Sequence, residues 1–339
     1  MSQIARTGYV AIAKQTAKGT PNTTLTTGLS TTDVSMSGQA DRLDDVEEIG
    51  GGRDYLASSS VMAGFTVSGD VSGLMRPNTF GLLLLAAGFT SAAPTQDGTT
   101  GAWTHVFTPA LTGSYLTIET RWGSTDAIRR FSDCLVDSLS VSLDANGRAT
   151  YSASLIGTTE SWQGTPAVPV YETDAVADYK GSAVTFDALG TYKFESVEVS
   201  IANNLSSDEF VIGSRMLDDV TFGAREVSMT GTIKAGANTP SVTDLYRAAV
   251  YGAKAATAPG GADPYHSAAS VTFGSDKFAG TSVTKRFASI FAIPDLVMNG
   301  FPLEASGSDR LSLDLDCRAY KGAGNIVDVT LQNTRGTAY

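Results

Sequence analysis

The residues able to do chemistry are few and scattered. His105 and His266 are the only histidines, and neither stands in a nucleophile, metalloprotease or deaminase spacing, so each reads as a loop histidine rather than a general base. Cys134 and Cys317 are the only cysteines. Two thiols in a chain of 339 residues make neither a disulfide framework nor a thiolate zinc site. The run GGGR ending at Arg53 lacks the lysine and hydroxyl of a phosphate-binding loop, and there is no Gly-x-Ser-x-Gly elbow. Trp103, Trp122, Trp162 and the tyrosines are not interleaved with basic residues, so they suit core or interface anchoring better than base stacking. The inventory implies a structural protein, not an enzyme, with no cofactor and no metal.

Two kinds of cluster remain. The first is acidic: Asp41, Asp44, Asp45, Glu47 and Glu48, with Arg42 and Arg53 around them, and Asp208, Glu209, Asp218 and Asp219, with Arg215 and Arg225 nearby. Carboxylate groups invite a calcium reading, but the ordered oxygen-ligand spacing of an EF-hand is missing. They read either as solvated loops or as protruding arms that pack on a neighbouring subunit or ring. The second is one-sided. Ser138, Ser140 and Ser142 alternate with leucine and valine, as Ser312, Asp314 and Asp316 do with leucine and cysteine. Strands with one dry and one wet face belong to an antiparallel sheet bordering water. That water is either ordinary solvent or the filling of a channel.

The elements that position these residues follow from patterning. Hydrophobic residues make up 42% and charged residues 17% of the chain, a globular balance. The length exceeds one core and predicts two domains of about 150 residues. A formal net charge of -11 opposes gripping nucleic acid through its phosphates. It suits a conduit past which a polyanion slides. The amino terminus lacks the pattern of a secretory signal, which places synthesis and assembly in the cytoplasm. The longest apolar run, Phe80 to Phe89, is about half the ~20 residues of a membrane-spanning helix and reads as a buried helix without membrane insertion.

An internal echo organises the chain. Gly64 to Phe89 is matched by Arg225 to Ala253: an alternating strand, a glycine at Gly69 or Gly231, a proline at Pro77 or Pro240, and an apolar helix closed by Gly88 or Gly252. Asn78 or Thr79 and Ser241 are the expected helix caps. Val34 to Ser37 echoes Val199 to Ala202, Ser138 to Leu143 echoes Arg310 to Leu315, and Ala149 to Gly157 echoes Asn325 to Asn333. The expected organisation is an N-terminal arm or strand at 1–33, a first domain at 34–157, a linker at 158–196, and a second domain at 197–339. Within the second domain an irregular insertion is expected at about 255–285.

The opening YVAIAKQTAKGTPNT (Tyr9 to Thr23), the strand, proline and glycine-closed helix pattern, and VDSLSVSLDANGRATYSASLIG (Val136 to Gly157) resemble tail tube proteins of long-tailed, siphovirus-type phages. The resemblance implies a mainly β chain of two tandem tail-tube-type β-sandwich or barrel domains, each with one short flanking helix. It implies stacked pseudohexameric rings, trimers of two-domain chains, whose inner sheets form a lumen for DNA. Hexameric rings of whole chains stay open. Implied partners are the chain itself, a tape measure protein, the tail terminator and distal tail proteins, while double-stranded DNA transits without specific binding. The implied location is the virion. The tube protein of a contractile tail or secretion machine, and a surface carbohydrate-binding β protein, remain alternatives.

Overall fold

A computed structural model describes residues 8–43, 60–123, 127–187, 190–234, 241–260, 264–299 and 312–339. The first half of the chain forms β1 (Tyr9–Lys14), β2 (Thr27–Gly28), β3 (Asp33–Val34), β4 (Ser37–Leu43), β5 (Val61–Leu74), α1 (Pro77–Ala86), β6 (Phe89–Ser91), β7 (Thr95–Gln96), β8 (Trp103–Pro109), β9 (Leu116–Trp122), β10 (Ala127–Asp144) and β11 (Thr150–Gly157). Next come β12 (Thr159–Trp162), β13 (Val170–Tyr171), β14 (Ala183–Phe186), β15 (Gly190–Thr191), β16 (Phe194–Ala202), β17 (Ser206–Phe210) and β18 (Leu217–Thr221). The chain closes with β19 (Glu226–Lys234), α2 (Val242–Tyr251), β20 (His266–Phe278), β21 (Arg286–Met298), β22 (Ser312–Ala319) and β23 (Asp328–Asn333).

The protein is mainly β, as the alternation predicts, with open sheets that pack as sandwiches. One long antiparallel sheet runs β4, β5, β11, β10, β16, β19, β22, with β3 sharing the edge beside β5. The long strand β10 belongs to two layers. Its second part pairs with β11 and β16, while its first part pairs with β9 and β12 in a second sheet that also holds β1. Register shifts at Phe131/Cys134 and Val136/Ser138, with Asp133 at a φ of 55°, let the strand bend between the layers. In the other half β21 acts similarly, pairing with β20 and β23 along its length and with β22 at its end.

Helix α1 lies inside, every residue buried, because its apolar residues leave no polar face to turn outward. Its Phe80 ring meets Tyr151 of β11 at 6.3 Å and Phe291 of β21 at 6.4 Å, so one hydrophobic core spans both halves of the chain. Helix α2 is half exposed and buries Leu245 and Ala248. Among the described residues no helix is long and apolar enough to cross a membrane.

Several expectations change. Of the arm or strand expected at 1–33, the described residues form a strand: Val10, Ala11 and Ile12 of β1 are buried and pair with β9. The stretch 158–196 carries β12 to β15, and β14 pairs with β20, so it is woven into the sheets. The irregular insertion expected at about 255–285 holds a regular strand over His266–Phe278, β20, whose alternating Ala269, Val271 and Phe273 enter the core. Arg76, not Asn78 or Thr79, occupies the capping position of α1, with Pro77 first in the helix, where a missing N–H costs nothing. Ser241 does cap α2, its N–H donating to the Asp244 carboxylate at 3.2 Å. By its sheet neighbours β22 takes the place beside β19 that β11, rather than β10, takes beside β5.

Candidate functional site

The long sheet brings the one-sided strands of both halves onto a single face. Leu139, Val141 and Leu143 are buried beneath β10, and Leu313, Leu315 and Cys317 beneath β22, so the intervening residues point the other way. Ser138, Ser140 and Ser142 are half-buried there; Asp314 and Asp316 are exposed. Ser312 contributes its backbone to the ladder opposite Lys234. Strand register aligns these residues in rows across the seam between β10 and β16. One row reads Ser72, Ser152, Ser140, Ser200, Ser228, Arg318. The next reads Thr150, Ser142, Glu198, Thr230, Asp316, and a third Asp144, Ser196, Thr232, Asp314.

Hydroxyls on this face satisfy one another. Ser142 and Thr150 lie 2.9 Å apart, and Thr232 Oγ1 donates to Asp314 at 2.8 Å. A depression of about 440 Å³ opens over Ser142, Glu198, Thr230, Thr232 and Asp316, so the polar surface is concave at its middle. Its acids include Asp33, Asp70, Asp144, Glu198, Glu226, Asp314 and Asp316. Basic groups, which the six sequence-chosen positions lack, enter at opposite ends of the β19–β22 ladder as Lys234 and Arg318, and Arg318 pairs with Glu226 at 3.0 Å. The contributions of β5, β11, β16 and β19 to this face were not singled out from sequence. Their signal was present as alternation in FESVEVSIA and EVSMTGTIK, but only the β10–β16 pairing makes one surface of them.

The acidic segments form ribbons. Asp41 and Arg42 lie on exposed β4, and Asp208 and Glu209 on β17. Asp44, Asp45, Glu47, Glu48 and Arg53 lie outside the described residues. The β17–β18 ribbon packs on the other: Phe65 N–H donates to Arg215 C=O at 2.7 Å, Arg215 Nε to Ala63 C=O at 3.3 Å, and the Phe210 ring covers Gly64. Ile212 at the ribbon's turn is fully exposed, and Leu43, Val61 and Met62 expose more than half their surface. Asp218 and Asp219 follow on β18. Asp219 is an internal clip rather than an arm residue, taking Lys18 at 3.1 Å and the Tyr115 hydroxyl at 3.1 Å. Burial pushes its carboxyl up, but the Val220 amide, Lys18 and Tyr115 outweigh this and hold it below the usual carboxylate range.

Neither histidine sits in a loop. His105 is buried in β8, its Nε2 2.8 Å from the Arg335 carbonyl, and burial lowers its pKa. His266 opens β20 and pairs with Asp295 at 2.6 Å. Cys134 and Cys317 are free and buried, and burial pushes both thiols up. Among the described residues no cluster of histidine, cysteine and carboxylate could hold a metal ion. Sequence reading also missed a buried knot beside the second sheet. There Glu119 takes Arg130 at 2.6 Å, and the Tyr9 hydroxyl and the Ala167 amide at 2.5 and 2.9 Å.

What the arrangement offers is a continuous polar surface and its edges. A family model described as phage tail tube protein matches residues 5–319. No curated protein sequence matches the chain. With nearly the whole length covered by that model and a mainly β architecture beneath it, the chain belongs to the phage tail tube protein family.

Proposed function

We propose that the chain polymerises into stacked, pseudohexameric rings, each made of three chains of two tube domains, and that the concave Ser/Thr/Asp/Glu face lines the lumen through which DNA passes. Family membership gives the coarser part, a structural role in a phage tail. The finer part rests on one observation: the β10–β16 seam joins the inner sheets of the two halves edge to edge, with their polar faces in continuous rows. A seam made once within a chain is a pattern that can be repeated between chains. Rings closed in this way leave no bare sheet edge.

In this reading Ser138, Ser140, Ser142, Ser312, Asp314 and Asp316 belong to the lumen wall, whose negative charge keeps a polyanion from adhering. The two ribbons, carrying Asp41, Arg42, Asp208, Glu209 and Arg215, are the contacts with neighbouring subunits or rings. The tape measure, the tail terminator and distal tail proteins are the remaining partners, with assembly in the host cytoplasm. Negative-stain electron microscopy across a concentration series tests the proposal. Rings or hollow filaments with threefold-modulated sixfold symmetry are expected, and a particle that stays monomeric and featureless at every concentration overturns it.

A further inference from the structure

The two halves offer the same sheet edge to different partners. In the second half the outer edge of β16 is taken by β10. Asn203 N–H donates to the Asp137 carbonyl and Ala145 N–H to the Glu195 carbonyl, both at 2.7 Å, so the odd-numbered residues of β16 turn their backbone groups toward β10. In the first half the corresponding strand is β4 with β3. Gly38 lies opposite Val67, two residues before Gly69, as Val199 lies opposite Met229, two residues before Gly231. The backbone groups of Met36 and Gly38 thus stand where those of Val197 and Val199 meet a strand.

Among the described residues no strand forms a ladder with them, although β12 lies beside β4. The Glu160 carboxylate instead accepts from Gly38 N–H at 2.8 Å, and Arg129 Nη2 donates to the Met36 carbonyl at 3.1 Å. The two side chains, reaching over from β12 and β10, lie 3.6 Å apart and are only 12% and 20% exposed. The carboxylate sits so close that a Cβ at position 38 would have to displace it and the Phe65 ring. One charged acceptor and one charged donor thus do, for this edge, what a neighbouring strand does for β16.

We propose that Arg129 and Glu160 are a removable cap, and that the edge they cover receives a strand from a second copy of this chain when the ring closes. This rests on the tube reading above. An uncapped edge is a template for indiscriminate strand addition; the pair withholds it until a correctly placed neighbour supplies the same donor and acceptor. The other end of the sheet offers a candidate counterpart, since beyond Cys317 toward its start β22 has a strand on one side only among the described residues.

The test compares wild type with Glu160→Ala and Arg129→Ala, each first shown to be folded by thermal unfolding, following assembly by light scattering and electron microscopy without other tail proteins. Loss of a charge-assisted bond predicts spontaneous assembly about tenfold faster or more in both variants. Added salt, which screens the pair, should speed wild type more than Glu160→Ala. If wild type forms tubes but the variants assemble no faster and respond equally to salt, the pair is a permanent clip and the cap is overturned while the tube reading stands. If no protein, wild type included, forms rings or tubes, the tube reading fails and the cap with it. Should Glu160→Ala not fold, Glu160→Gln, which keeps an oxygen for Gly38 and loses the charge, decides by the same comparison.

Discussion

Asp174 shows what a single buried carboxylate does to this molecule. Its side chain is 2% exposed beside α1; Oδ2 accepts from Asn78 N–H at 3.2 Å, while Oδ1 stands 3.6 Å from Arg76 without a hydrogen bond. Burial pushes the carboxyl up to about 6, against the pull of the Asn78 amide and Arg76. The folded protein therefore holds this proton more tightly than the unfolded chain. The resulting stabilisation is full below about pH 4 and is lost as pH rises through about 6. Asp174→Asn should make the protein about 1–2 kcal/mol more stable at pH 7.5 and flatten its stability between pH 4 and 7. Parallel pH profiles for the two proteins, measured by urea unfolding, would refute this. Asp219 has the opposite sign: its depressed carboxyl contributes stability above the ordinary carboxylate range that is lost as pH falls through its folded value. Neither behaviour was legible in the sequence, because both arise from neighbours remote along the chain.

Elements were more legible than residues where their pattern was local. A run of leucines with no polar face meant a buried helix, and α1 is one. Ser241 before an apolar run meant a capped start for α2. Strand β20 was hidden because Pro259, Gly260 and Pro264 punctuate the approach to it, although Ala269, Val271 and Phe273 alternate beyond them. The Ser138 and Asp314 faces were visible as period-two patterns, whereas their union depended on which strand lies beside β10, a tertiary fact. At this scale the ribbons make a prediction. Ile212, fully exposed at the turn after β17, contributes nothing to the core. Ile212→Asp should change unfolding stability by no more than about 0.5 kcal/mol. Under the tube reading it should nonetheless reduce ring or tube formation, as sedimentation would report. Unaltered assembly would remove this ribbon from the interface.

For the whole molecule the governing fact is one continuous sheet face, mostly hydroxyl and acidic, shared by both halves. If it lines a lumen, reversing its charge should act on transit and not on folding. Phage carrying Ser140→Lys with Asp314→Lys are expected to build tails of normal appearance and to eject DNA more slowly, with the defect relieved by salt that screens the new attraction. Wild-type ejection kinetics at low salt would place this face elsewhere. The same integration governs how the chain comes to be folded. Strand β23 lies between β21 and β8, and the Tyr339 ring covers Gly81 while its hydroxyl bonds to the Pro77 and Asn78 carbonyls at 2.9 and 3.1 Å. A sheet begun by residues 103–109 is thus completed by residues 328–333, contacts of the kind that are slowest to form. On the ribosome β8 can pair with β6 and β7 as soon as they emerge, but its pairing with β23 must wait until residues 328–333 have been made. A chain cut short of residue 328 lacks both the strand that joins β21 to β8 and the Tyr339 ring that covers Gly81, so the sheet is completed only by the far end of the polypeptide.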